Sequence, residues 1–360
     1  MQTHRERPIA GDKQGRPVAL ALLAAALYSL SAPASKLLLV TIPPTLLAAL
    51  LYLGAGLGML AVNLVGAQNR PARTEARITR KDAPYVVAMI VLDIAAPILL
   101  MLGLAQTTAA TASLLNNAEI VATAVIALVA FHEAIGRRMW LAIVLITLAS
   151  IVLSLQDVHN LSFSTGALLV LLACVCWGLE NNCTRMLSLK DPLQIVVVKG
   201  LGSGLGSLCI ALALHEGHAP TGYVLLALLL GFCAYGMSIY SYILAQRALG
   251  AARTSAYYAA APFIGVLLSW VVLREELTWS FGLALALMVA GAILAITEQH
   301  SHQHTHLVET HEHRHNHRDG HHNHVHPTAI AGEHSHVHTH EALTHIHAHW
   351  PDLHHRHSHH

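Results

Sequence analysis

Charge is what this sequence has least of. Only 11% of its 360 residues are Asp, Glu, Lys or Arg, where water-soluble domains carry about 25%. That argues against a soluble globular enzyme, and no catalytic motif speaks for an enzyme of any kind. Aromatic residues are also scarce, at 5%. No basic stretch is interleaved with them, so nucleic acid has no support as a partner. The five cysteines, Cys174, Cys176, Cys183, Cys209 and Cys233, all lie inside apolar runs. Disulfides are poorly supported there, and small apolar filler is the better reading. What is abundant is apolar: 54% of the chain, with a mean hydropathy of +0.51. Residues 300–360 hold 24 of the 29 histidines and almost no apolar runs. The composition describes a membrane-embedded body with a polar, histidine-loaded tail.

A helix that crosses a bilayer needs about 20 mostly apolar residues. Ten runs fit, at about 18–40, 44–65, 83–105, 111–131, 139–155, 166–187, 193–214, 222–244, 255–273 and 278–296. Turn residues such as Pro43-Pro44 and Asp191-Pro192 separate them. The first run follows a polar segment, residues 1–17, and is long for a signal sequence, so it reads as a retained span. Cations gather on one side. Arg5, Arg7, Lys13 and Arg16 precede the first span, and Arg70, Arg73, Arg77, Arg80 and Lys81 fill the second loop. Arg137, Arg138, Arg185, Lys190, Arg247 and Arg253 sit in loops four, six and eight, while the odd-numbered loops hold only Arg274. Because cytoplasmic loops are the ones enriched in Lys and Arg, both termini are expected in the cytoplasm of a multi-pass protein of the inner (plasma) membrane.

The ten spans divide into two related halves. LGAGLG at 53–58 returns as LGSGLG at 201–206. LYSLSAPASKLL at 27–38 aligns loosely with CWGLENNCTRML at 176–187, and ALVAFHEAI at 127–135 with SWVVLREEL at 269–277. The order of elements is kept, and five spans per half means that the second half enters the membrane inverted, the usual plan of secondary transporters. The expected architecture is therefore an all-α membrane protein of ten transmembrane helices in two inverted five-helix repeats, residues 18–155 and 166–297. A short N-terminal segment (1–17) and a disordered histidine-rich tail (298–360) flank them. At this level the chain resembles the EamA-like branch of the drug/metabolite transporter superfamily. The likeness is carried by SAPASKLLL at 31–39, by ATASLLNNAEIVATAVIALVAFHE at 110–133, and by its counterpart AARTSAYYAAAPFIGVLLSWVVLREE at 251–276. The resemblance implies a central cavity between the halves and transport of small organic solutes, from amino acids to nucleosides and drugs. Three features depart from the family pattern: Asp93 in the third span, Glu180-Asn181-Asn182 in the sixth, and the tail.

An ionisable group inside a span costs about 2.5–3.5 kcal/mol on insertion scales, so it normally faces a cavity or a partner. The candidates for a solute and proton pathway are Asp93, Asn116, Glu119, Glu180, Asn181, Lys199 and Tyr257. Asn116 and Glu119 are three apart and share a helix face, as do Glu180 and Thr184 four apart. Glu180 with Lys199 also reads as a purely structural pair, Lys36 and Arg185 as span-end side chains that snorkel, and Glu133 and Glu275 as loop-edge caps or salt-bridge partners. Gly54/Gly58 and Gly202/Gly206 are GxxxG pairs suited to close helix packing. Pro33, Pro97 and Pro262 suggest kinks.

The tail alternates histidine with other residues. His311, His313, His315 and His317, then His334, His336, His338 and His340, then His354, His355 and His357 are its candidate metal ligands. Imidazole, with an ordinary pKa of about 6.5, is mostly neutral in the cytosol and suits Zn, Ni and, by analogy, Co. The segment lacks the apolar content for a core. Two functions follow. One is a secondary active transporter that exports a small organic metabolite or drug, requires no cofactor, and carries a metal-binding tail; a homodimer fits either reading. The other is an exporter of Ni, Co or Zn, with Asp93, Glu119 and Glu180 as carboxylate steps.

Overall fold

In lipid each backbone N–H and C=O must be paired within its own segment, which leaves the helix as the way for such apolar runs to cross. A computed structural model describes residues 15–66, 78–131, 136–157, 162–187, 190–249, 251–297, 300–306, 309–315, 334–340 and 343–349. Helices α1 (Gly15–Ser29) and α2 (Ser31–Leu38) make the first crossing, α3 (Pro44–Gly66) the second and α4 (Ala83–Gln106) the third. The fourth is α5 (Ala109–Leu115) plus α6 (Ala118–Phe131), and the fifth is α7 (Arg137–Ser154). Then come α8 (Thr165–Arg185) and α9 (Pro192–Ala213). The eighth crossing joins α10 (Thr221–Gly231) to α11 (Ser238–Leu249) through a π turn over Phe232–Met237. The ninth is α12 (Ala251–Tyr258) plus α13 (Ala261–Leu273), and the tenth is α14 (Trp279–Ile296). Among the described residues nine of these crossings are long and apolar enough to span a membrane, while the ninth contributes only a shorter apolar helix, Ala261–Leu273.

The breaks have local causes. Pro33 and Pro262 stand in the first turn after a break, where a missing N–H costs nothing. Pro97 lies inside an uninterrupted α4, and its missing N–H denies the Asp93 carbonyl its usual donor.

Packing repeats the internal symmetry. Helix α3 packs on α9 and α7 on α14; α4 on α8 is mirrored by α11 on α1, and α6 on α8 by α12 and α13 on α1. Exchanging each crossing with the one five later maps these pairings onto one another. The α3–α9 contact is made backbone to backbone: a Cβ added at Gly56 or at Gly200 would lie 2.6 Å from the other helix. The two GxxxG pairs also pack closely, but against other neighbours. Gly54 meets the Leu228 backbone and Gly58 the Phe232 ring, while Gly202 and Gly206 meet Ile90 and Ile94. Outward-facing Leu22, Leu57, Val91, Leu141, Leu226 and Trp270 are exposed, as lipid contact requires.

Loop five carries a small antiparallel pair, β1 (Leu155–Asp157) with β2 (Ser162–Phe163). In the tail, for which the sequence offers no core, four segments have extended backbone. Strand β3 (His300–His306) pairs antiparallel with β6 (Leu343–His349), and β4 (Glu309–His315) with β5 (His334–His340). Strict alternation has a period of two, which is the period of a strand.

Candidate functional site

Asp93 is the eleventh residue of the 24-residue α4, roughly 15–20 Å from either end of the helix at 1.5 Å per residue. It is fully buried. Lys199 on α9 places its Nζ 3.0 Å from Asp93 Oδ2 and 3.0 Å from Glu180 Oε1 on α8. One ammonium therefore bridges two buried carboxylates, one from the first repeat and one from the second. Tyr52 Oη on α3 donates to Asp93 Oδ1 (3.1 Å), Trp177 Nε1 donates to Tyr52 Oη (3.4 Å), and Thr184 Oγ1 donates to Glu180 Oε1. The repeat alignment sets Ser31 where the second half has Glu180. Ser31 Oγ hydrogen-bonds Tyr235 Oη at 2.6 Å, on the crossing that corresponds to Asp93's. One half of the centre is thus ionic, and its inverted counterpart is built of hydroxyls.

Glu119 begins α6 just after the break at Asn116-Asn117. Its Oε1 accepts from Asn181 Nδ2 on α8 at 2.7 Å, and the same Nδ2 lies 3.3 Å from Thr123 Oγ1. Among the described residues no cation is within ion-pair distance of Glu119. Helix α13 packs on α5 just before this break, a Cβ added at Gly265 lying 2.8 Å from Ser113 Oγ and 3.4 Å from the Ser29 carbonyl. Five tyrosines form a row through the centre: Tyr242 to Tyr258 at 5.0 Å between centroids, Tyr258 to Tyr28 at 5.7 Å, Tyr28 to Tyr235 at 6.0 Å, and Tyr235 to Tyr52 at 5.5 Å. The row ends at Tyr52, the hydrogen-bond partner of Asp93.

Of the sequence candidates, Asp93, Glu180 and Lys199 come together, and Glu119 meets Asn181. Asn116 ends α5 with its Oδ1 buried and without a partner. Tyr257 is 37% exposed, while its neighbour Tyr258 belongs to the tyrosine row. Sequence reasoning missed Tyr28, Tyr52, Trp177, Tyr235 and Tyr242; the one signal was that Tyr28, Tyr52 and Trp177, from a scarce residue class, lie in or beside the repeated motifs.

The loop-edge acids and Lys36 hold helix ends. Glu275 accepts from the Ala109 and Ala110 amides (2.7 and 2.8 Å), and Glu216 from those of Thr45 and Leu46 (3.0 and 3.3 Å). Lys36 Nζ donates to the Leu104 and Thr107 carbonyls, both at 2.6 Å. Glu133 and the Arg185 side chain lie outside the described residues, as do His317, His354, His355 and His357. The other candidate tail histidines are described only as backbone positions in β4 and β5. Among the described residues no group of three or more His, Cys, Asp or Glu is placed to hold a metal ion.

The sequence profile of the EamA-like transporter family matches residues 15–155 and again 164–297. The chain belongs to this family. A relative described as an uncharacterized transporter, from Methanothermobacter thermautotrophicus, is 27% identical over 284 residues, covering 74% of this chain and 82% of its own length. A crystal structure of a protein superposes with a TM-score of 0.55 at 18% identity, covering 78% of this chain and 96% of the other. That likeness shows the fold alone. For this EamA-like chain, the ionic centre and the tyrosine row therefore lie inside the two matched repeats.

Proposed function

We propose that this EamA-like protein is a secondary active transporter of the inner membrane that exports a small organic metabolite or drug, with both termini in the cytoplasm. The observation that carries this reading is Lys199 held at 3.0 Å between Asp93 of one repeat and Glu180 of the other. Two carboxylates against one ammonium leave a negative charge in a low-dielectric interior, where it demands compensation. A proton on either carboxylate supplies it, and so does a solute that bonds there in the proton's place. Since the Lys199–Asp93 pair crosses the repeat interface while Lys199–Glu180 lies within the second repeat, a rocking motion of one half against the other must rearrange the first. That couples occupancy of the centre to which face is open.

The experiment is uptake of a labelled panel of amino acids, nucleosides and amines into proteoliposomes under an imposed pH gradient. The wild-type protein is expected to accumulate at least one solute against its gradient. Asp93→Asn should lose gradient-driven accumulation while retaining one-for-one solute exchange. Undiminished accumulation by Asp93→Asn takes Asp93 out of the coupling, and no accumulation by the wild type removes the active-transport reading.

We read the tail as a ligand for Zn, Ni or Co that buffers or regulates and is not part of the solute path. The backbone register supports this. It sets His311 opposite His338, His313 opposite His336 and His315 opposite His334, with three further histidine pairs between β3 and β6. Directly opposed positions of an antiparallel pair share a face.

A further inference from the structure

We propose that Glu119 and Asn116 form the head-group subsite for a protonated primary amine, so that the solute carried by this protein is an organic ammonium with an apolar or aromatic body. This rests on the transporter reading above and names the substrate class for it. Four observations carry the inference. Glu119 is a carboxylate deep in the fourth crossing that meets an amide from Asn181 and, among the described residues, no cation. Asn116 Oδ1 is buried with no hydrogen-bond partner, and a buried acceptor left unmade is costly. The Glu119 amide bonds the Asn116 carbonyl at 3.1 Å, so the two side chains stand one tight turn apart on the same face, as i and i+3 do in a 3₁₀ turn. The tyrosine row is built on neighbouring interrupted crossings: Tyr258 contacts both Tyr28 and Tyr242, and α13, which follows Tyr258, packs on α5, which leads into Asn116, with a Cβ added at Gly265 lying 2.8 Å from Ser113 Oγ and 3.4 Å from the Ser29 carbonyl.

These groups describe their ligand. A carboxylate and an amide oxygen both accept and neither donates, so the ligand must bring N–H donors. The carboxylate lacks a cation, so the ligand brings the charge. Tyrosine rings attract cations through their π faces and bury the hydrocarbon attached to one. A quaternary ammonium satisfies the charge and the rings but leaves Asn116 Oδ1 unbonded. An acid satisfies none of the three. The location agrees. The break after α5 lies within α6's first turn of Glu119, and the breaks after α1 and α12 fall within two residues of Tyr28 and Tyr258. Interrupted helices at mid-membrane are where carriers place their solutes.

The test is equilibrium binding to the full chain in lipid nanodiscs at fixed pH with no gradient. The probes are labelled phenethylamine, hexylamine and 1,6-diaminohexane, with 2-phenylethanol, phenylacetate and N,N,N-trimethylphenethylammonium as competitors. At least one primary amine should bind and resist displacement by the alcohol and the acid. The quaternary analogue should compete about tenfold less well or worse, as expected for a lost hydrogen bond to a charged group. Glu119→Gln should weaken amine binding by about tenfold or more, and Asn116→Ala by several-fold. Thermal melting of each variant checks that it is folded, and Glu119→Asp, which keeps the charge, takes the place of any Gln variant that does not fold and should keep part of the affinity. No amine binding, equal competition by the acid, or full affinity in folded Glu119→Gln overturns the subsite. Because binding is read without a gradient, the outcomes separate. Amine binding with no driven flux sinks the active-transport reading alone, and driven flux of an anionic or neutral solute without amine binding sinks the subsite alone.

Discussion

Lys199 is the residue on which the buried charges depend. Removing it strands Asp93 and Glu180 as two unpaired carboxylates in the membrane interior. Lys199→Met is therefore expected to destabilise the protein by about 3–5 kcal/mol, visible as a lowered melting temperature in detergent. Adding Asp93→Asn to it should restore part of the loss, since one stranded charge is then gone. A double variant no more stable than Lys199→Met would show that the pairs with Asp93 contribute little. These three residues were legible in the sequence because a charge inside an apolar run stands out in one dimension. Their tyrosine neighbours were not. A tyrosine in a span is ordinary, and which ring meets which is decided by tertiary packing. Tyr257 and Tyr258 show the limit: consecutive helical positions point about 100° apart, and the sequence has no means of choosing the one that faces inward.

At the scale of elements, backbone contact between α3 and α9 fixes how the repeats meet. A side chain at position 200 has nowhere to go, with the Gly56 Cα and N 2.6 Å from its Cβ. Gly200→Val should force the helices apart at a cost of about 1–3 kcal/mol, measurable as a lower melting temperature and a smaller monodisperse yield. Gly222→Ala, where nothing lies within 4 Å, is the matched control and should melt as the wild type does. The glycine strings were visible in the sequence, but spacing alone picked pairs that serve other neighbours, because GxxxG states that a close contact exists and not with what. The prolines marked two of the three breaks. The break at Asn116-Asn117 has no proline and was hidden. A similar device recurs at two loops. His215 and Arg274 hold left-handed φ values of 60° and 55°, a conformation that costs an L-residue about 1–2 kcal/mol. Each is followed at once by the glutamate, Glu216 or Glu275, that caps a helix start in the opposite repeat. The cap geometry offsets the strain.

For the whole molecule, tail and membrane body are expected to act as separable parts. Deleting 300–360 should abolish binding of Ni or Zn measured by titration calorimetry, and should leave solute flux in proteoliposomes unchanged. In the intact chain, metal affinity should fall as pH drops below about 6, when imidazole protonates. Loss of solute flux on deletion would instead make the tail part of the carrier cycle. The body itself was largely readable, since ten apolar runs, one-sided cations and a twofold repeat of motifs are all linear patterns. Yet the repeat is imperfect where it matters most. Ser31 stands where the partner half has Glu180, so the Asp93–Lys199–Glu180 cluster has no ionic counterpart at the position the repeat relates to it. A carrier that alternates by letting its halves trade conformations would treat both sides of the membrane alike if the halves were chemically equal. On the transporter reading proposed above, alternation of these unequal halves would present different groups to the two compartments. Half-saturation measured from the two faces of proteoliposomes is therefore expected to differ, with no net movement until a gradient is applied.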